Sequence, residues 1–367
     1  TKYPSNYIDF VDGLLRFGQK PASLLFLCLL GFYITLLLLG VNAWLSVVGA
    51  IAYAFSSYFF IIIAAGHNTK AISIAYMAPV IGSIIFCYRK KLWLGLALTG
   101  IFLALLILGK HPQIAYYGLI TVVIYGIVEL IYSIREKRTA RFIKTTAFLF
   151  IPLLLAVGSN FSNLWTTYEY GKYSMRGKSE LEINQENQTT GLDKDYATKW
   201  SYGIDETFTL LIPNYAGGSS CGELSTDSET YKTLVNNNVP ASRAEQFIQN
   251  APLYHGDQPF TEGPVYVGAM VLFFFVFGLF IIKGRIKWWI IAATLLSVLL
   301  AWGNNFMPLT NFFMEYVPGY NKFRTVSMTL VIAEFTIPLM AILAVRKVMK
   351  GEIQKEQENG ILEAVKN

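Results

Sequence analysis

Charge is scarce in this chain: 15% of its 367 residues are Asp, Glu, Lys or Arg, against 54% hydrophobic. Together with a mean hydropathy of +0.43, that excludes an ordinary soluble domain, in which about a quarter of the residues are charged. Cysteine occurs only three times. Cys28 and Cys87 fall in apolar stretches and Cys221 stands alone, so neither a disulfide framework nor a CxxC metal site is available. No Ser-His-Asp order, Walker loop, HExxH or GxGxxG in a strand–helix setting occurs, and spacing alone identifies no enzyme. Nor does the net charge of +6 imply nucleic-acid binding. Residues 165–263 hold seven Lys/Arg against fourteen Asp/Glu, so no phosphate-binding stripe survives.

Long apolar runs are what the sequence does have. Nine are expected to cross a bilayer: Ala22 to Val41, Trp44 to Ala64, Ala71 to Tyr88, Leu92 to Gly109, Ile114 to Ile134, Thr145 to Leu164, Pro264 to Ile282, Trp288 to Asn304 and Arg324 to Val345. Each approaches the ~20 residues a helix needs to cross hydrocarbon. Backbone groups in lipid must pair within their own segment, which makes the runs helices. Basic clusters follow the third, fifth, seventh and ninth runs: Arg89 to Lys91, Arg135 to Lys144, Lys283 to Lys287 and Arg346 to Lys350. Alternating spans put all four on one side, and the positive-inside rule makes that side cytoplasmic. The expected fold is therefore an all-α polytopic membrane protein, N-terminus out and C-terminus in. The chain begins with Thr and residues 1–20 lack a signal-peptide pattern, so a fragment whose first transmembrane helix lies upstream is expected.

Residues 1–20 read as an outer interfacial helix. Tyr7, Phe10, Val11, Leu14 and Leu15 form one stripe, with Asp9, Asp12 and Arg16 on the solvated face. Residues 21–164 carry the first six spans, and 165–263 an extracytoplasmic insert of mixed α/β character. In that insert Glu206 to Ile212 reads as a strand, Asp193 to Lys199 as a loop, and Ser242 with Glu245 as a capping box. Residues 264–345 hold three more spans, with an interfacial helix near 308–317, and 346–367 form a cytoplasmic tail.

Polar residues collect at the outer ends of the spans: His67 and Lys70 between the second and third, Lys110 and His111 between the fourth and fifth, Arg324 before the ninth. Short hairpins hold such side chains at headgroup depth, where a charge is costly unless paired or engaged with a ligand. Arg offers a bidentate fork and Lys a point charge for phosphate. The plainer reading is that Lys70, Lys110 and Arg324 snorkel to lipid phosphates as anchors. Deep in the ninth span, Glu334 reads as a protonated, hydrogen-bonded structural acid in preference to a proton relay. Glu129 reads as snorkelling to the cytoplasmic surface, and His255, Asp257 and Glu262 as turn-stabilising rather than metal ligands.

Several segments resemble the YfhO family of bacterial membrane proteins: FSSYFFIIIAAGHNTK (55–70), KHPQIAYY (110–117), TTYEYGKYSMRG (166–177), SYGIDETFTLLIPNYAGGSS (201–220), GDQPFTEGPVYVG (256–268) and VPGYNKFR (317–324). That family is similar to the GT-C membrane glycosyltransferases, and the resemblance implies a polyprenyl-phosphate-linked sugar as donor, a cell-envelope acceptor and the bilayer as setting. It also implies a catalytic carboxylate in the first outer loop, upstream of this chain, so no catalytic residue is assigned here. His67, Lys70, Lys110, His111 and Arg324 become the expected donor-phosphate site, with Glu169, Arg176 and Asp257 as weaker sugar or acceptor contacts. No cofactor is identified, although a divalent metal fits the chemistry. Two other readings compete: a transporter or flippase of lipid-linked sugar, and a non-catalytic assembly scaffold.

Overall fold

The computed structural model describes residues 7–174 and 191–352. In chain order the α-helices are α1 (Tyr7–Leu15), α2 (Ala22–Leu38), α3 (Ala43–Ala54), α4 (Ser57–Ala64), α5 (Asn68–Arg89), α6 (Leu92–Leu108), α7 (Pro112–Arg135) and α8 (Thr139–Ser159). Then come α9 (Phe161–Lys172), α10 (Lys194–Thr198), α11 (Glu229–Asn236), α12 (Ala241–Gln249), α13 (Ala269–Ile281), α14 (Arg285–Ala301), α15 (Met307–Tyr316) and α16 (Leu330–Met349). Four spans are long and apolar enough to cross a membrane: α5, α7, α8, and α16 together with the 3-10 turn before it. Two further candidates are bent pairs, α3 with α4 (52°) and α14 with the Gly303–Tyr316 segment (114°), and α2, α6 and α13 are shorter apolar helices. All nine expected runs thus fall on apolar helices. At 1.5 Å per residue, however, the 13 residues of α13 reach only ~20 Å of the ~30 Å hydrocarbon core.

Burial divides the bundle into an inner and an outer set. The apolar window of α5 is 94% buried and that of α16 83%, whereas α8 buries 17%. Helix α5 packs chiefly on α2 and α6, and α16 on α13 and α14. Trp44, Leu154, Leu155 and Phe280 lie open on the outside, an apolar skin of the kind that marks contact with lipid. Glycine permits the closest inner crossing: a Cβ on Gly31 of α2 would overlap the Ala75 carbonyl oxygen of α5. Small residues at such contacts let membrane helices approach through their backbones. Gly31→Val is therefore expected to cost about 1–3 kcal/mol through overpacking, read as a lower unfolding midpoint in detergent; an unchanged midpoint would show that the two helices can separate freely.

Several sequence expectations are corrected. Helix α1 is turned from the expected orientation: Val11 and Leu15 pack on the core and Asp9 is exposed, but Tyr7, Phe10 and Leu14 are exposed too, and Asp12 is buried and accepts the Tyr76 hydroxyl at 2.7 Å. Arg16 pairs with the same carboxylate. One buried ion-paired acid can dictate which face turns inward when both sides of a helix meet apolar surroundings. Glu129 does not snorkel; it is 4% exposed and bound by Arg285 at 2.6 Å. Arg285 also takes Glu136 through its other nitrogen.

The insert has no strand among the described residues. Residues Asp205–Leu210 form a 3-10 helix because the buried Glu206 carboxylate gathers the Gly203 amide, the Tyr254 hydroxyl and the Gln258 amide. The expected loop at Asp193 is the cap of α10, and α12 starts behind Pro240 with no Ser242 cap. Of the 346–367 tail, residues beyond 352 lie outside the described set.

Candidate functional site

Helices α5 and α7 begin at the same place. His67 is the N-cap position of α5 and His111 that of α7. Pro112 starts α7 at the position where a missing N–H costs nothing, and the His111 Nδ1 accepts the Ile114 amide at 3.4 Å. Both N-termini bring the positive end of a helix dipole to one region. Lys110 lies just beyond the end of α6 with φ 58°, and Thr325, directly after Arg324, has φ 63°. Left-handed backbone at non-glycine residues is sparsely populated, and such positions concentrate at ligand clamps and active sites.

These elements enclose a cavity of about 900 Å³ lined by His67, Lys70, Lys110, His111 and Arg324 together. All five expected phosphate-site residues share one cavity, although they come from loops as far as 257 positions apart (324 − 67). Gln113 ties the site shut from below, its Nε2 donating to the Arg324 carbonyl at 2.6 Å and the Tyr117 hydroxyl at 2.8 Å. Arg324 donates to the Tyr196 hydroxyl at 2.7 Å and stacks over that ring. Helix α9 closes one side through Thr166, Thr167, Tyr170 and Gly171.

Lys70 is the most shielded of the five, 8% exposed, with its ammonium 5.0 Å from the Tyr58 ring centre. Neither it nor Lys110 makes an ion pair among the described residues. A buried cation without a carboxylate partner is costly, which fits a site that receives its anion from outside. Loss of hydration, then Lys70 and Arg324, hold the His67 imidazole below its ordinary value of 6.5, with Glu262 pulling weakly the other way.

A second chamber of about 460 Å³ shares His67, Lys70 and Arg324 with the first and extends toward Trp200, Phe260 and Glu262. The weaker candidates stand apart. Asp257 is engaged by Asn305 at 2.8 Å and lines neither chamber. Glu169 pairs with Lys172 at 2.9 Å on α9, beside the wall rather than in it. Arg176 lies outside the described residues. Among those residues no group of three or more His, Cys, Asp or Glu could hold a metal ion.

The chambers also involve residues without a sequence assignment. Gln113 belongs to the Lys-His-Pro-Gln segment, and only its contact with a carbonyl 211 positions away gives it a role. Glu334 is fully buried, as expected of a structural acid, with the Ser56 hydroxyl beside its carboxyl group. The Tyr58 and Tyr202 side chains are buried as well and line the second chamber.

At the opposite end of the bundle Arg89, Lys283, Arg346 and Lys347 surround a single smaller cavity, so three of the four basic clusters meet there. No family model, curated protein or solved structure matches this chain.

Proposed function

We propose that this protein binds a polyprenyl-phosphate-linked sugar at the outer end of its membrane helices and acts as a glycosyltransferase toward a cell-envelope acceptor. The observation that carries the reading is the convergence of three cationic and two imidazole side chains on one cavity, with no carboxylate ion-paired to Lys70 or Lys110 among the described residues. Two helix N-termini add to the same positive potential. Exposed Trp165, Tyr168, Tyr170 and Tyr173 around α9 suit the membrane–water boundary, where such rings concentrate. The meeting of Arg89, Lys283, Arg346 and Lys347 at the far end supports the nine-span, N-out and C-in arrangement with those clusters in the bacterial cytoplasm. By resemblance, the reaction is attack of an acceptor hydroxyl on the sugar. The cations would stabilise the departing lipid phosphate. The flippase reading draws on one observation, the fully buried Glu334 close to Tyr58 and Tyr202 of the second chamber.

Binding of short-chain polyprenyl sugar phosphodiesters to the full-length protein in nanodiscs, followed by turnover of the bound donor, tests the proposal. Lys110→Gly suits the left-handed backbone at that position while removing the charge, so it should keep the unfolding midpoint and weaken binding about tenfold. The phosphodiester does not titrate near neutrality, so pH dependence reports on the protein. Free His67 is neutral at pH 7 because its value lies below 6.5, and a bound anion raises that value. Affinity should therefore climb as pH falls through the bound-state value and level off below the free-state one, a rise that His67→Gln abolishes. A flat profile in the wild type together with an unaffected Lys110→Gly would remove the phosphate assignment. Donor movement across the bilayer without glycosidic cleavage would establish the flippase instead.

A further inference from the structure

The second chamber has a chemistry of its own. Cationic residues reach it only at the wall it shares with the first chamber, through His67, Lys70 and Arg324. Its remaining polar lining includes Gln258, Thr261 and Ser327, hydrogen-bonding groups of moderate strength, together with the Glu262 carboxylate. Glu262 makes no ion pair among the described residues and lies close enough to His67 to act on its charge. Its aromatic lining is Trp200 and Phe260, whose rings meet edge to face at 5.3 Å, with Tyr58 and Tyr202. Both tyrosines are buried in its wall.

A flat apolar face beside an amide and a carboxylate suits an uncharged polyol. Ring C–H groups pack on the aromatic face, and hydroxyls donate to the carboxylate. It does not suit a second phosphate, which Glu262 would repel, nor a prenyl chain, which would leave Glu262 desolvated and unpaired. The first chamber is larger and is bounded by the tyrosine-rich α9, and it carries Lys110 and His111 in addition to the shared cations.

Resting on the lipid-phosphate reading above, we propose that the chamber formed by Trp200, Gln258, Phe260 and Glu262 is the subsite for the sugar of the lipid-linked donor. The phosphate lies at the wall the two chambers share, between His67, Lys70 and Arg324, and the prenyl chain leaves through the first chamber past α9. Glu262 is a specificity-determining contact that accepts a hydrogen bond from a sugar hydroxyl. The geometry ties this role to the sugar and not to the anion, because Gln258 and Glu262 belong to the insert segment that closes only the second chamber.

The test compares three probes on the full-length protein in nanodiscs: citronellyl phosphate, its methyl phosphodiester, and a panel of its glycosyl phosphodiesters with hexose, pentose and N-acetylhexosamine heads. At least one glycosyl diester should bind about tenfold or more tightly than the methyl diester. Trp200→Ala and Glu262→Gln should erase that difference; Trp200→Ala leaves methyl-diester affinity as it was, and Glu262→Gln leaves it equal or higher, because a carboxylate near the anion is removed. Trp200→Phe, which keeps an aromatic face, should retain most of the difference and guards against loss of folding as the explanation. Lys70→Met should weaken methyl and glycosyl diesters alike. Equal affinity for methyl and every glycosyl diester in the wild type overturns the sugar subsite while leaving the phosphate site standing. Equal weakening of both probe types by Glu262→Gln does the same. No binding of any probe overturns the lipid-phosphate reading itself and this subsite with it.

Discussion

Lys70→Met should abolish most binding of a polyprenyl phosphodiester and leave the protein at least as stable as the wild type. Two effects of opposite sign act on stability. Replacement forfeits the contact with the Tyr58 ring at 5.0 Å, which is worth at most about 2 kcal/mol. It also removes an ammonium that is 8% exposed and has no ion pair among the described residues, and burying an unpaired charge costs several kcal/mol. The second effect is the larger, so the unfolding midpoint should hold or rise. Binding goes the other way. Lys70 lines both chambers, and a lost charge-assisted hydrogen bond of about 1.5–3 kcal/mol lowers affinity roughly 10- to 100-fold. Titration of the lipid into nanodisc-embedded protein and thermal unfolding of the same samples give both numbers. A variant that binds normally but unfolds earlier would make Lys70 a structural residue, and the cavity would lose its central cation.

Arg285→Ala should be the most destabilising single charge deletion in the bundle, costing about 3 kcal/mol. Its guanidinium holds Glu129 at 2.6 Å and Glu136 at 2.6 and 2.8 Å, and it stacks over Tyr132. Glu129 has a side chain only 5% exposed, and removing one member of a buried pair leaves the other as an uncompensated charge, typically a loss of 3–5 kcal/mol. The partly open side of Arg285, 16% exposed, puts the expectation at the lower end of that range. Adding Glu129→Leu to Arg285→Ala removes the stranded carboxylate and should restore most of the stability. Equal stability of Arg285→Ala and wild type in detergent unfolding would show that water reaches Glu129 freely.

Much of this molecule can be read from the order of its residues, and the reasons are local. Nine runs of apolar residues land on nine apolar helices or bent pairs because every backbone group in such a run has to pair within its own segment. The Lys-His-Pro-Gln segment starts α7 where Pro at a first position predicts a helix N-terminus. Other features turn on distant partners. Asp12 looks like a solvated residue opposite an apolar stripe until Tyr76, 64 positions away, meets it. Glu129 looks free to snorkel until Arg285 reaches it across 156 positions. The segment from Glu206 alternates like a strand, but contacts to Gly203, Tyr254 and Gln258 wind it into a 3-10 turn.

By itself, the sequence determined that this is a helical protein with several apolar segments, that its strongest basic clusters separate from its histidines, and which five polar residues flank those segments. Hydropathy and charge are properties of neighbouring residues, so they survive without coordinates. Whether Lys70, Lys110 and Arg324 splay outward as anchors or turn toward one cavity was decided only by tertiary packing. So was the division into two chambers with different chemistry. Both depend on which helix ends meet in space, and the free energy that selects those meetings comes from side chains far apart along the chain.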